Sequence, residues 1–247
     1  MAVYIAAHKA FEPVNDPTYI PLQVGAAGGV DLPYAKDNTG EHISEKNPHF
    51  CELTGLYWIR HNTQDDYKGL VHYRRYFMRA GHPLTEDAIR RLLTDSDVIL
   101  PPREVLRESA WEEFCLHSGH VRDLSLLREA VETIDPAYLP SFDRVMTGNR
   151  LHLYNMIIAR REIFDAYCDW LFAVLFELEK HVDMTGYTPY EQRLYGFLSE
   201  RLLNVWVAHN HLCVRTVKVK NTQQTVKQAL RLFARRQKNR LLFALRK

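Results

Sequence analysis

Long apolar runs are missing from this 247-residue chain: no stretch of 18 or more apolar residues occurs, so no segment reads as a membrane-spanning helix. The opening residues MAVYIAAHKAFEPVND have no basic leading region and no extended apolar core, and are not expected to act as a secretory signal. Cysteine is sparse. Cys51, Cys115, Cys168 and Cys213 stand far apart in no recognisable framework, a pattern expected of reduced thiols in a cytoplasmic protein. There is no glycine-rich phosphate loop, no Gly-x-Ser-x-Gly and no His-Glu-x-x-His. These gaps argue against the common nucleoside triphosphatases, serine hydrolases and zinc proteases. Internal repeats and low-complexity segments are also lacking.

What is present is the composition of a globular chain, 46% hydrophobic and 25% charged, with enough length for one large domain or two small ones. The net charge of +2 conceals an asymmetry. Of 32 Lys and Arg, 11 fall in residues 215–247, which contain no Asp or Glu; the preceding 214 residues keep 21 bases against 30 acids. An acidic body therefore carries a basic tail suited to something anionic, and the chain divides into a domain over 1–214 and a tail over 215–247.

Hydropathy patterning predicts strands alternating with helices. The run VYIAA reads as a first strand ending at His8-Lys9, followed by a long polar loop over 10–50. A helix is predicted from about Pro48, then a strand GLVHYRRYF, a helix over 84–94 capped by Thr85, and a strand Val98–Leu100. Helix is predicted over 109–134 with a break near Ser118-Gly119, ended by Pro136 and Pro140. Strand is expected over 151–159, helices over 161–181 and 189–209, strand over 212–219 and a basic helix at the end. Such alternation indicates an α/β domain on a largely parallel sheet.

Ligands of open α/β sheets bind beyond the carboxyl ends of the strands, which singles out His8 and Lys9. His72-Tyr73-Arg74-Arg75-Tyr76 is the sharpest local feature. Two Arg in an apolar segment need anionic partners, either buried acids or a bound carboxylate or phosphate. In a strand Arg74 and Arg75 would face opposite sides, one serving a ligand and the other the structure. Asp37-Asn38-Thr39-Gly40 with Ser44, Lys46 and Asn47 is dense in hydrogen-bonding groups, as a sugar site or an Asx-closed turn would be. Asp95-Ser96-Asp97 spells the short acidic motif that holds Mg²⁺ or Mn²⁺ against a nucleotide diphosphate in many sugar transferases, but it lies where a helix cap or turn is expected. Cys115-x-His117-x-x-His120 and His209-x-His211-x-Cys213 lack a second pair at zinc spacing.

The runs AAHK, Tyr19-x-Pro-x-x-Val-Gly25, DNTGEHISEKN, CELTGLYWIRHN and DYKGLVHYRRYF, in this order, resemble a family of bacterial polysaccharide glycosyltransferases. GHVRDL, YNMIIARREIFDAYCDWLF and QRLYGFLSERLLNVW extend the likeness over about residues 3–210, leaving the tail outside it. The family acts in capsule, exopolysaccharide and O-antigen synthesis, and some members are assigned as galactofuranosyltransferases. The resemblance implies a glycosyltransferase A-like fold, a Rossmann-like and mostly parallel sheet flanked by helices. It implies transfer of a sugar from a nucleotide diphosphate donor, UDP-galactofuranose first, to a lipid-linked glycan. It also assigns residues. His8, Lys9, Tyr19, Gly25, Asp37, Asn38 and Asn47 would bind the nucleotide sugar, and His120 and Asn155 would contact acceptor or sugar. His72, Arg74 and Arg75 would neutralise the leaving diphosphate, either without a metal or with Mn²⁺ or Mg²⁺, for which Asp95 and Asp97 are the alternative ligands. Glu191 is grouped with these as catalytic, with Glu200, Asp123 and His120 as further candidates for the base. The competing reading is a non-catalytic scaffold that binds anionic glycan or lipid. Nucleic acid is not expected as a partner.

From Thr225 onward Val226, Ala229, Leu230, Phe233, Leu241, Ala244 and Leu245 recur at near-helical spacing against Lys227, Arg231, Arg235, Lys238 and Arg246. A basic amphipathic helix of this kind lies in the membrane interface, which places the protein at the inner face of the cytoplasmic membrane; a helix packed on the body or on a second copy in a homodimer is the alternative. Each base near an anionic leaflet contributes about 1 kcal/mol. At low salt the full chain should co-sediment with anionic but not neutral liposomes, and a chain ending at Asn221 should not. Binding that survives the truncation would remove the tail from this role.

Overall fold

Short runs rich in Val, Ile and Tyr become strands in the computed structural model, which describes residues 1–225, 230, 231, 234, 237–239 and 242. In chain order, β1 (Ala2–Ala7), β2 (Tyr19–Gln23) and β3 (Ala35–Lys36) precede α1 (Asn47–Phe50) and α2 (Leu53–Asn62). Next come β4 (Tyr67–His72), β5 (Arg75–Arg79), β6 (His82–Pro83), α3 (Glu86–Leu92), β7 (Val98–Leu100) and β8 (Glu104–Val105). The helices α4 (Ala110–His117), α5 (Val121–Ile134) and α6 (Leu139–Thr147) lead to β9 (Arg150–Leu151) and β10 (Ile157–Arg160). The long helices α7 (Arg161–Glu179) and α8 (Leu194–His209) are followed by β11 (Val214–Thr216) and β12 (Val219–Asn221).

The main sheet runs β11-β7-β10-β4-β1-β2-β3. Parallel pairing of β1 with β2 and β4, and of β2 with β3, brings the carboxyl ends of β1, β2 and β4 to one edge. Only β10 runs against this direction, wedged between β4 and β7, so its amino end lies on that same edge. Strand alternation then divides the core. Ala2, Tyr4 and Ala6 join the cluster built with α2 and α4–α8, whereas Val3, Ile5 and Ala7 join the opposite cluster with Tyr76, Phe77, Leu84 and Ile89. Side chains cap two of the helix starts: Thr85 accepts from the Ala88 amide at α3, and Ser109 with Glu112 forms a capping box at α4.

Several elements depart from the sequence reading. The expected loop over 10–50 contains β2 and β3, hidden by Pro21. That proline is tolerated because it pairs only with Ile5 on β1, while β3 begins one residue further, opposite Leu22. GLVHYRRYF is a hairpin and not one strand: His72 pairs with Arg75, and Tyr73-Arg74 form the turn. The expected opposition of Arg74 and Arg75 by strand alternation is therefore replaced by turn geometry. Pro140 does not end a helix but sits in the first turn of α6, where its missing N–H has no intrahelical partner to lose. The strand expected over 151–159 is split by Tyr154 and Asn155, both left-handed at φ 79° and 50°. The boundary drawn after residue 214 falls inside β11, and β12 pairs antiparallel with β5, so the first residues of the basic tail belong to the sheet. The amphipathic helix expected from Thr225 lies largely outside the described residues.

Gly69 explains how β10 fits against β4: a Cβ there would stand 2.7 Å from Ile158 Cγ1 and 3.1 Å from the Ile157 carbonyl oxygen. Gly69→Ala should lower stability by about 1–3 kcal/mol, read as a reduced urea midpoint at unchanged slope. An unaltered midpoint would show that β10 can move aside freely.

Candidate functional site

Two turns at the carboxyl edge of the sheet assemble the site. The Tyr73 amide donates to the Ala6 carbonyl at 3.1 Å, drawing the β4–β5 turn over the end of β1. The buried Tyr73 ring becomes a pedestal: His8 meets it edge-on at 5.3 Å, Lys9 Nζ lies 5.2 Å from its centroid and the Arg74 guanidinium 5.6 Å. Arg75 stacks at 4.6 Å on the Tyr154 ring.

The second turn, Leu153-Tyr154-Asn155, is fastened through its backbone. The Tyr154 amide donates to Glu200 Oε1 at 2.7 Å, and its carbonyl lies 2.6 Å from His72 Nε2. A carbonyl can only accept, so Nε2 carries the proton. Asn155 is buried and fully engaged: Nδ2 donates to Glu52 Oε1 at 2.9 Å and the Gly196 carbonyl at 3.0 Å, and Oδ1 accepts from the Ser199 hydroxyl at 3.0 Å. Glu52 Oε1 stands 4.0 Å from His72 Nε2. Cys51, left-handed at φ 52°, breaks α1 from α2 and delivers Glu52 to the site. Its Sγ accepts from Arg193 Nε at 3.3 Å.

Carboxylates hold many of the cations outside the site. Lys68, Arg60, Arg90, Arg128, Arg160 and Arg201 are all held by carboxylates. Lys9, Arg74, Arg75 and Arg193 make no ion pair among the described residues. Arg74 Nε is shielded from solvent and donates to nothing. Burial lowers the His8 pKa, and Lys9, Arg74, Arg193 and His72 depress it further. Burial also lowers His72, against the pull of Glu52, and lowers Arg75, with Arg74 adding repulsion. Burial pushes Glu200 up to about 7 despite the neighbouring Arg201.

His8, Lys9, His72, Arg74, Arg75, Asn155 and Glu200, all singled out in the sequence, thus come together. Glu52, Arg193, Cys51 and Tyr154 join them without having been singled out. Others lie elsewhere. The Asp37 carboxylate is fully buried and accepts from the Gly25 and Ala26 amides and the Ser44 hydroxyl, so it holds the loop after β2. Gly25 takes φ 69° against Asn47, whose amide is bonded to the Cys51 carbonyl and Thr54. Asn38 is half-buried next to Asp37. Tyr19 donates to the Leu84 carbonyl inside the core. Glu191 accepts from the Thr188 amide and hydroxyl and pairs with His120 at 3.4 Å, and Asp123 caps the His120 amide while accepting from Tyr187. Asp95 and Asp97 precede β7 at the opposite edge of the sheet, where Asp97 is held by Arg160 and the Cys213 amide. No three His, Cys, Asp or Glu side chains converge as metal ligands among the described residues.

A mostly parallel sheet between helical and hairpin layers, with its functional edge at the strand carboxyl ends, is a glycosyltransferase A-like α/β fold. The chain belongs to the family described as Domain of unknown function (DUF4422), whose profile matches residues 2–211. It is similar to the apo structure of WbbM, a bifunctional glycosyltransferase, with a TM-score of 0.83 and 27% identity over 90% of this chain and 45% of that one. The chain thus spans less than half the length of WbbM. No curated protein matches it.

Because the fold raises the Glu200 pKa, the folded state keeps a proton that the unfolded chain has lost between the ordinary glutamate value of 4.5 and about 7, so stability falls as pH rises through that window. Glu200→Gln keeps an oxygen for the Tyr154 amide. Relative to wild type it should gain about 2–3 kcal/mol between pH 4.5 and pH 8 in urea unfolding. A pH-independent difference would mean that Glu200 titrates normally.

Proposed function

We propose that this protein transfers a sugar from a nucleotide diphosphate donor to a glycan acceptor. The observation that carries this reading is the group of four cations without carboxylate partners at the carboxyl ends of β1 and β4 and before α8, with one shielded guanidinium nitrogen bonded to nothing. Arg74 and Arg75 are half-buried, a state that is costly for a cation unless compensated, and a diphosphate offers the compensating charge in a shape that guanidinium forks match. The likeness to a bifunctional glycosyltransferase supports the class of reaction.

In this reading the C1–O bond to the β-phosphate breaks as the acceptor oxygen bonds to C1, and the bonding pair leaves with the nucleoside diphosphate. Lys9, Arg74, Arg75 and Arg193 stabilise the charge that develops there. The end of β4, where many sugar transferases carry an acidic cation-binding pair, here carries His72-Tyr73-Arg74. A divalent cation does not suit a pocket already holding this much positive charge, and no step is assigned to one.

UDP-galactofuranose is the first candidate donor and a lipid-linked glycan the acceptor, both on the sequence resemblance. Membrane attachment through the basic tail would suit such an acceptor. No helix among the described residues is long and apolar enough to cross a membrane.

In a thermal-shift screen, UDP and UDP-sugars should raise Tm with or without Mn²⁺, whereas GDP- and CDP-sugars should not. Arg74→Lys should weaken UDP binding about tenfold with little change in the melting temperature of the free protein, because Lys lacks the two-pronged geometry. Stabilisation by GDP- or CDP-sugars alone would overturn the donor assignment. No response to any nucleotide would favour the scaffold reading.

A further inference from the structure

The proposed transfer leaves one requirement open: a group that takes the proton of the acceptor hydroxyl as its oxygen bonds to C1. Four carboxylates or imidazoles lie close enough to the cationic cluster to be considered, and their contacts separate them. His72 donates its Nε2 proton to the Tyr154 carbonyl at 2.6 Å, and burial disfavours the imidazolium it would become as a base. Glu200 bonds the Tyr154 amide through Oε1, and its Oε2 lies 3.5 Å from the Arg201 guanidinium, so both oxygens are in use. His8 is exposed, and the surrounding cations disfavour its taking up a proton. Glu52 has one oxygen fixed by Asn155 at 2.9 Å, and among the described residues no hydrogen bond engages the other.

We infer that Glu52 is the general base of this site, its Oε1 anchored by the Asn155 amide and its Oε2 accepting the acceptor proton. The inference rests on the transferase reading. The backbone supports it independently of charge. Glu52 follows the left-handed Cys51, and Asn155 is itself left-handed, so two strained positions converge on this one carboxylate. Strain of this sort persists where the surroundings over-determine it, as at functional sites. In the step, the acceptor O–H proton passes to Glu52 Oε2, the oxygen forms its bond to C1, and the C1–O bond electrons leave on the nucleoside diphosphate. Water in place of the glycan gives donor hydrolysis by the same proton transfer, so the base can be tested without knowing the acceptor.

The groups facing Glu52 are Cys51 beside it, His72 from β4, Arg75 from β5, Tyr167 from α7, and Arg193 and Glu200 at the start of α8. Arg75 and Arg193 bring positive charge to this carboxylate, and Glu200 brings negative charge.

The test uses the full chain with UDP-galactofuranose and follows UDP release. Glu52→Gln retains an oxygen for Asn155 and so should fold, keep its melting temperature and bind UDP as wild type does. Its hydrolysis rate should fall at least ~100-fold, and the acidic limb of the pH–rate profile should disappear. Glu52→Asp, shorter by one methylene, should retain the limb with a reduced rate. Glu52→Gln hydrolysing at the wild-type rate, or keeping the limb, overturns this inference and leaves the transferase reading standing. A wild-type protein that binds UDP but releases none from the donor also overturns it. A wild-type protein that neither binds nucleotide nor hydrolyses donor overturns the transferase reading itself.

Discussion

The site depends on how the Tyr154 peptide groups are satisfied. β10 must enter antiparallel between β4 and β7 within four residues, and the chain reaches it through two consecutive left-handed residues, neither of them glycine. Each such residue costs on the order of 1–3 kcal/mol. The offset comes from the Glu200 and His72 bonds to Tyr154 and the three bonds of Asn155. Those five contacts tie the end of β4, the start of α2 and the first turns of α8 to one point. Glu52, His72 and Glu200 are thus positioned around a backbone that would relax without them.

The same arrangement explains why an acidic body presents a cationic edge. The two fully buried cations among the described residues are neutralised: Asp165 reaches Lys68 at 2.8 Å, and Glu113 reaches Arg201. At the strand ends the nearby acids have other tasks. Glu200 holds a backbone amide and Glu52 is held by Asn155, so Lys9 and Arg74 are left against the ring of Tyr73, Arg75 against Tyr154, and Arg193 against Tyr190 and Phe197. Ring faces shelter cations at modest gain and do not discharge them.

Much of this was legible in the sequence. Because apolar periodicity is what burial selects, the alternation of strands with helices, the carboxyl-end position of His8-Lys9 and the closeness of the Arg pair followed from patterning, whereas β2, β3 and the break within 151–159 did not. Positions set by backbone reversal were not. HYRRYF has strand composition throughout, and nothing local marks a two-residue turn without Gly, Asn or Asp. The hydrogen bond from the Tyr73 amide to Ala6, made only once β1 lies alongside, is long-range. Glu52 was hidden for the same reason: it lies in a run that reads as continuous helix, and the break at Cys51 is what exposes it. Asp37 lay in a stretch whose polar composition fitted either a sugar site or a turn closed by its own side chains, and its carboxylate binds the Gly25 and Ala26 amides as the second reading expects.

The cationic cluster is also a reservoir of unfavourable energy in the free protein. Arg74 disfavours protonated Arg75, and Lys9, Arg74 and Arg193 disfavour protonated His8. These repulsions act in the folded chain and not in the extended one, so they subtract from stability, and the anion of the proposed reaction would offset them. In the proposed reaction that relief is graded. A bound donor brings part of the required negative charge, and breaking the C1–O bond adds more on the phosphate oxygens. An array fixed beforehand interacts more strongly with the later distribution than with the earlier one, which lowers the barrier instead of merely tightening the ground state. Guanidinium groups stay ionised across the physiological range, so this contribution does not titrate away. Any pH sensitivity of the chemistry must then arise among the carboxylates and imidazoles gathered around Tyr154 and Asn155.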